Sequence, residues 1–481
     1  MKIKLKLLPP LCIALTLSVF AQKTTMEQAV TTALERNQKI KQFNERIEQK
    51  KFQEMESWGN FLPQINFVGS YNHLNKKIDI DLEPIRQAMI QLQTGNQVTF
   101  ATLQNPALTA QQKAAIAAQA KAGLEAALPP FVEGVKEQDY KMGTFIGIQP
   151  LFLGGKLWAA KNAAADEKIA AEIELKKTKD EIIQETVNNY LSVVLVSDII
   201  KTRKDVLAGI VRHRERAEKL LREGLIANYH LLRAKVAEAE AERNLNDDKN
   251  KLSVAYLALK NSMGITDEEI IVDDSLIYKS ATDSLENYIA KALNGNAVLK
   301  LIAIKRDAVE QKYVADRSNF LPQLAAFGKY EVFPQYLSLL EPRWAVGINL
   351  NFNLFNGFKD YTKLQATIHM EDELKFMEAD VKSKIGLLVN KTYKDILNAR
   401  DKYNKLETSI SLADENLRLN EKRFETGLGT SLEVIDARLS YEKIQVDRKV
   451  ALFEYYKSIN ELLQATGEPE NILSIWNKKE N

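Results

Sequence analysis

Glu433 and Asp436 stand three residues apart in Gly427-Leu428-Gly429-Thr430-Ser431-Leu432-Glu433-Val434-Ile435-Asp436-Ala437, so a helix starting just past the Gly-Leu turn puts both carboxylates on one face. Taken alone, that spacing describes a solvated acidic helix face. The turn has an earlier copy at Gly224-Leu225, at an offset of 427 − 224 = 203, and there His230 and Arg233 occupy the positions of Glu433 and Asp436. The exchange of acids for bases offers an ion pair between Arg233 and either carboxylate. Other chemistry is absent. The histidines His73, His213, His230 and His369 lack metal-ligand spacing, and no glycine loop would cradle a phosphate. The only cysteine, Cys12, lies in an apolar leader, which excludes thiol catalysis from the chain that remains after its removal. An enzyme would need a clustered acid, base or metal site; none is found, and no cofactor is expected.

These residues must be positioned by long helices. Turn formers are scarce, 20 Gly and 12 Pro in 481 residues, and 27% of residues are charged, which predicts an elongated, mostly helical protein. Residues 1–21 read as a cleaved signal peptide, with Lys2, Lys4 and Lys6, an apolar run from Leu11 to Phe20, and a cleavage site at Ala21. The protein is expected to be exported. Removing three lysines and no acids changes the net charge from +2 to 2 − 3 = −1, leaving no basic excess for nucleic acid. Cys12 lacks the small residues of a lipidation site. After residue 21 no apolar run approaches the roughly 20 residues of a membrane helix. Entry into a membrane would have to be by strands.

Thr24 and Glu27 form the expected capping box of a helix that runs to about Asn60. The segment Asn60-Phe61-Leu62-Pro63-Gln64 ends it, because Pro63 disfavours helical geometry at the residue before it. A strand over 64–71 follows, then a loop insertion over 73–140 with an Ala/Gln-rich helical excursion of unassigned function, then a strand over 143–153. A helical hairpin spans 156–263. Its first arm, 156–223, contains no Pro and would extend about 100 Å. Gly224 breaks it, and Leu245, Leu252 and Leu259 give the second arm heptad spacing. Residues 264–282 read as a polar connector.

The pattern then recurs. Asn319-Phe320-Leu321-Pro322-Gln323 repeats the Pro63 segment at an offset of 259, and Ala292, Leu293 and Asn296 repeat Ala33, Leu34 and Asn37 at the same offset. Beyond the strands Gly154, Lys156, Gly224 and Ala234 return as Gly357, Lys359, Gly427 and Ala437 at 203; the difference, 259 − 203 = 56, is the size of the extra loop. Pro63 and Pro322 are thus landmarks of a duplication: repeat 1 over 22–263, and repeat 2 over 283–467 with strands 323–332 and 344–355 and a hairpin over 358–466. Residues 468–481 form a tail. In 344–355, Trp344, Val346, Ile348, Leu350, Phe352 and Leu354 alternate with small or amide residues, and about 11 residues fit a tilted bilayer crossing. A soluble sheet is the alternative. Open strand edges do not survive in lipid, so a membrane reading requires assembly. Leu439, Val446 and Phe453 read as packing between helices, and Trp158, Tyr330 and Trp344 as candidates for an interfacial belt.

In this order the paired Asn-Phe-Leu-Pro-Gln, the strand exits Leu151-Phe152-Leu153-Gly154-Gly155 and Leu354-Phe355-Asn356-Gly357, and the turn Gly427 to Ala437 resemble the TolC family of outer-membrane efflux channels over residues 23–467. The resemblance implies a mainly α fold with a small β part. Four membrane strands per protomer would join a trimeric 12-stranded β-barrel, and the long hairpins would form an α-barrel of coiled coils across the periplasm. It implies a passive duct without catalysis, a homotrimer in outer-membrane lipid. Partners would be a periplasmic adaptor (membrane fusion protein) and an inner-membrane pump of RND or ABC type, in efflux or type I secretion. Glu433 and Asp436 would line the pore aperture, six carboxylates in the trimer that favour cations and restrain opening. Gly224, Leu225, Gly427 and Leu428 would form the adaptor-docking tips. The family often carries a basic residue where this chain has Gly429, which moves the expected latch to His230 and Arg233. The competing class is an exported coiled-coil spacer without a pore, and the alternation over 344–355 argues against it.

Overall fold

The computed structural model describes residues 22–280, 283–337 and 341–478; the expected leader, with Cys12, lies outside them. In chain order the elements begin with β1 (Gln22–Lys23), α1 (Met26–Arg36), α2 (Gln38–Gly59), β2 (Gln64–His73), β3 (Ile78–Asp81) and α3 (Glu83–Gln104). Next come α4 (Ala110–Ala127), β4 (Val132–Lys136), β5 (Asp139–Phe152), α5 (Lys156–Arg222), α6 (Asn228–Met263), β6 (Ile270–Ile271) and α7 (Leu285–Gly295). The chain ends with α8 (Ala297–Arg317), β7 (Gln323–Glu331), β8 (Trp344–Asn351), α9 (Lys359–Glu425), α10 (Ser431–Thr466) and α11 (Asn471–Asn477). Contacts divide it into two units, one made of Met55–Lys161 with Tyr313–Leu364 and the other of the remainder.

The first of these units holds a four-stranded antiparallel sheet in the order β2-β5-β7-β8. Pro63 and Pro322 immediately precede β2 and β7, and in each copy the residue before proline follows a last helical turn: Leu62 N–H donates to Gly59 O at 3.1 Å and Leu321 N–H to Ser318 O at 3.1 Å. Directly paired residues share a face, so Phe67, Phe145, Tyr330 and Trp344 form one row across all four strands. All four side chains are exposed, as are Val346, Ile348 and Leu350 beyond Trp344. The last strand ends at Asn351 rather than at residue 355, because Gln323 is the first residue of β7 and pairs with Asn351. β5 begins earlier than residue 143, at Asp139, whose carboxylate accepts from the Tyr71 hydroxyl at 2.7 Å and lies 2.8 Å from His73 Nδ1.

The insertion between β2 and β5 is folded rather than loop-like. β3 and β4 form an antiparallel ribbon, and α3 packs against α4. Pro84 sits at the start of α3, where its missing N–H is harmless. The α4 start is fixed by a Thr109/Gln112 capping box, and its end by Arg86, whose guanidinium donates to Leu128 O at 2.8 Å and Glu125 O at 3.0 Å. Alanine and glutamine in this stretch gave a helical composition without showing that two helices would pair.

In the other unit α5 and α9 are each 67 residues and α6 and α10 each 36. Its main core joins α1, the middle of α5 and α9, the ends of α6 and α10, α7 and α11, with Val187, Tyr190, Leu191, Val389, Ile396, Tyr455 and Tyr456 fully or almost fully buried. The duplication is visible in single bonds. Asn37 Nδ2 donates to Ser262 O at 3.0 Å and Asn296 Nδ2 to Ala465 O at 3.3 Å, the same contact at offsets of 259 and 203. Both asparagines interrupt the expected continuous helix, each taking an extended conformation between two helices.

Three further expectations are corrected. The first capping box is Thr25 with Gln28, because Thr24 is drawn into a parallel pairing of β1 with β6, its N–H donating to Ile271 O at 2.8 Å. The connector is not merely polar, since Ile265 and Val272 are buried in the core. The tail contains α11, whose Ile472 is fully buried and whose Trp476 packs edge-on against Tyr190 and Tyr456.

Candidate functional site at the hairpin turns

Both hairpins turn through one device. Gly224 and Gly427 adopt φ 70° and 75°, a left-handed conformation that costs a side-chain-bearing residue about 1–2 kcal/mol. Gly224 N–H donates to Leu221 O at 3.0 Å and Leu225 N–H to Leu220 O at 2.9 Å; Gly427 and Leu428 repeat this on Phe424 O at 3.1 Å and Arg423 O at 2.9 Å. The paired bonds satisfy the last carbonyls of α5 and α9 as a Schellman cap. The leucines are left outside, 67% exposed at Leu225 and 76% at Leu428.

The two starts after the turns differ. Ala227 gives α6 no side-chain cap, whereas Thr430 and Glu433 cap α10 reciprocally. Glu433 Oε2 accepts from Thr430 N–H at 2.7 Å, and its Oε1 lies 3.7 Å from an Arg423 guanidinium nitrogen. The Thr430 amide, with the Thr430 hydroxyl and Arg423 assisting, holds the Glu433 carboxyl below the usual range. Arg423 also donates to Leu428 O at 3.3 Å, so one guanidinium ties α9, the turn and α10 together. Asp436 is exposed one turn further on and pairs with none of the described residues. Within the protomer, Glu433 therefore meets Arg423 rather than Arg233, which is exposed. The His230 ring lies tilted against Tyr229 at 3.9 Å between ring centroids, and its buried Nδ1 has no hydrogen-bond partner among the described residues.

Behind the turns the hairpins pack through Ala217, Leu220, Leu231, Phe424 and Val434. Beside this cluster lies a polar layer that the sequence reading missed. His213 Nε2 and Ser431 Oγ are hydrogen-bonded at 2.7 Å, both residues buried, with the imidazole 4.6 Å from the Phe424 ring. Burial pushes His213 down to about 4, with the positive Arg438 nearby adding to the shift and His230 contributing. Arg438 is itself buried and ion-paired to Glu421; its guanidinium fills the space that Gly209 leaves in α5, and a Cβ there would overlap it. Further along α5, Arg203 bridges the buried carboxylates of Asp248, at 2.9 Å, and Glu442. A lone glycine inside an unbroken helical pattern was the available signal for close approach at Gly209.

The turns thus carry an acidic pair on one helix face, two exposed leucines and, behind them, a buried polar layer between the hairpins. The family described as outer membrane efflux protein matches residues 98–265 and 288–468, one segment in each repeat. The chain belongs to that family. Outer membrane efflux proteins are channels of the outer membrane and not enzymes. Among curated proteins the chain is similar to outer membrane protein TolC of Vibrio cholerae serotype O1, 23% identical over 202 residues. That alignment spans 41% of this chain and 45% of the relative, less than half the length of either. Solved structures extend the likeness of fold across the chain. The outer membrane protein VceC of Vibrio cholerae is 17% identical, with a TM-score of 0.70 over 92% of this chain and 96% of VceC. The CmeC outer membrane channel of Campylobacter jejuni is 15% identical, with a TM-score of 0.68 over 92% and 86%.

Proposed function

We propose that the chain is the exit duct of a tripartite efflux or type I secretion system, passively conducting substrates to the exterior. Three copies close their sheets into one 12-stranded barrel, the free edge of β2 joining that of a neighbour's β8. The observation that carries this reading is the exposed row Phe67, Phe145, Tyr330 and Trp344, continuous across a sheet with two open edges. Such a face suits lipid, and such edges must be paired there.

The long hairpins lie in the periplasm, where Leu225 and Leu428 dock on an adaptor of the membrane fusion type and the adaptor links to an RND or ABC pump. Energy comes from the pump. Asp436 and Glu433 form the acidic ring of the entrance, six carboxylates in the trimer. Their roles differ: Asp436 supplies a free charge, whereas Glu433 also holds the turn through Thr430 and Arg423. His230 and Arg233 are left as latch partners across a subunit boundary. Export uses the leader over residues 1–21.

The reading is tested by purifying the full chain in detergent, measuring its mass and recording from planar bilayers. A heat-dissociable trimer that conducts ions supports it. A monomer, or a trimer that passes no current, would leave a coiled-coil spacer as the better account.

A further inference from the structure

The helix α3 has two faces, and only one is used. Glu83, Arg86, Ile90, Thr94 and Val98 fall on the side packed towards α4, with Ile90 and Arg86 buried and Glu83 ion-paired to Arg86. About 150° around the helix, at 100° per residue, stand Ile85, Met89, Leu92, Phe100 and Leu103. These five are 47% to 72% exposed. Positions 85, 89, 92, 96, 99 and 103 follow the alternating four- and three-residue steps of a coiled-coil seam, with Phe100 flanking it. Four of the six are apolar, Thr99 turns its hydroxyl back onto Gly95 O at 2.9 Å, and Asn96 supplies an amide at an inner position, the kind of residue that fixes register and partner number between helices.

We propose that this face is an interface between copies of the chain: three α3 helices pack on one another through Ile85, Met89, Leu92, Asn96 and Leu103 as a parallel bundle. The inference rests on the trimer proposed above, in which rotational symmetry makes equivalent helices parallel. Three observations select a second copy over other occupants. The chain enters the excursion directly from β2, the sheet edge at which protomers join, and reaches α3 ten residues after His73. The only charged residues of α3 are Glu83 and Arg86, which neutralise one another on the inner side, so identical outer faces meet without repulsion. For the same reason the helix lacks the basic flank that draws an amphipathic helix to an anionic lipid surface.

The chain's sole cysteine is Cys12, so engineered thiols report cleanly. Leu92→Cys and Asn96→Cys are placed on the seam, and Gln91→Cys, exposed and pointing elsewhere, is the control. Each full-length variant is assembled in membranes, oxidised with copper phenanthroline and run on a non-reducing gel after heating; light scattering gives the oligomeric state of the same sample. Because a disulfide needs Cα atoms within about 7 Å, the seam variants should give roughly tenfold more linked dimer than the control. A trimer by light scattering with no preference for the seam would overturn the interface and leave the trimer standing, whether lipid or another protein covers the face. No trimer in the unoxidised wild type would overturn both.

Discussion

Lowering the pH should loosen the packing of the two hairpins at His213. Packed, the imidazole is neutral and its affinity for protons falls to about 4; exposed, it titrates near its ordinary 6.5. Between these values the opened state binds a proton that the packed state does not, so acidification favours opening there. Above about 6.5 neither state is protonated and below about 4 both are, which confines the effect to that window. Across that window the change corresponds to about 3 kcal/mol, or a more than 100-fold rise in the local opening constant. Hydrogen exchange of the full-length protein in detergent, corrected for intrinsic rates, should show this in peptides covering 206–220 and 424–438. His213→Gln retains a hydrogen-bonding partner for Ser431 without a titrating ring and should flatten the response. An equal pH dependence in that variant would refute the assignment to His213.

Other positions give independent checks. Arg203→Met should lower stability by about 3 kcal/mol in thermal melts, because the buried Glu442 carboxylate loses its guanidinium while Asp248 keeps Lys251 at 2.7 Å, and adding Glu442→Gln should recover most of the loss. Gly209→Ala should lower the melting temperature by displacing Arg438 from Glu421, whereas Gly386→Ala, with nothing within 4 Å of its Cβ position, should gain up to about 1 kcal/mol of helix propensity. Thr430→Ala removes the cap of α10 and should cost about 1 kcal/mol, read as faster exchange confined to the first turn after residue 430.

The long helices were legible because their apolar periodicity runs without proline, and the duplication because its offsets recur. What was not legible depends on partners far away in the chain. The breaks at Asn37 and Asn296 look like good helix until the contacts with Ser262 and Ala465 are known. Thr24 loses its capping role only because Ile271 claims its amide. The tail became a helix because Ile472 and Trp476 reach a core built from both repeats. At the site, the spacing of Glu433 and Asp436 is visible in the sequence, but the engagement of Glu433 by Arg423 is not, because Arg423 lies on the helix before the turn and reaches back only once the turn has formed. The polar layer of His213, Ser431, Arg438 and Glu421 spans two hairpins whose pairing no local pattern encodes.

A duct whose entrance is lined by Glu433 and Asp436 should select ions by charge. The most direct test is the reversal potential of the purified trimer in a planar bilayer under a potassium chloride gradient, compared with Glu433→Gln/Asp436→Asn. The wild type should be cation-selective and the double variant should reverse near zero, with most of that change coming from Asp436→Asn alone. An unchanged potential in the double variant would contradict this lining of the entrance.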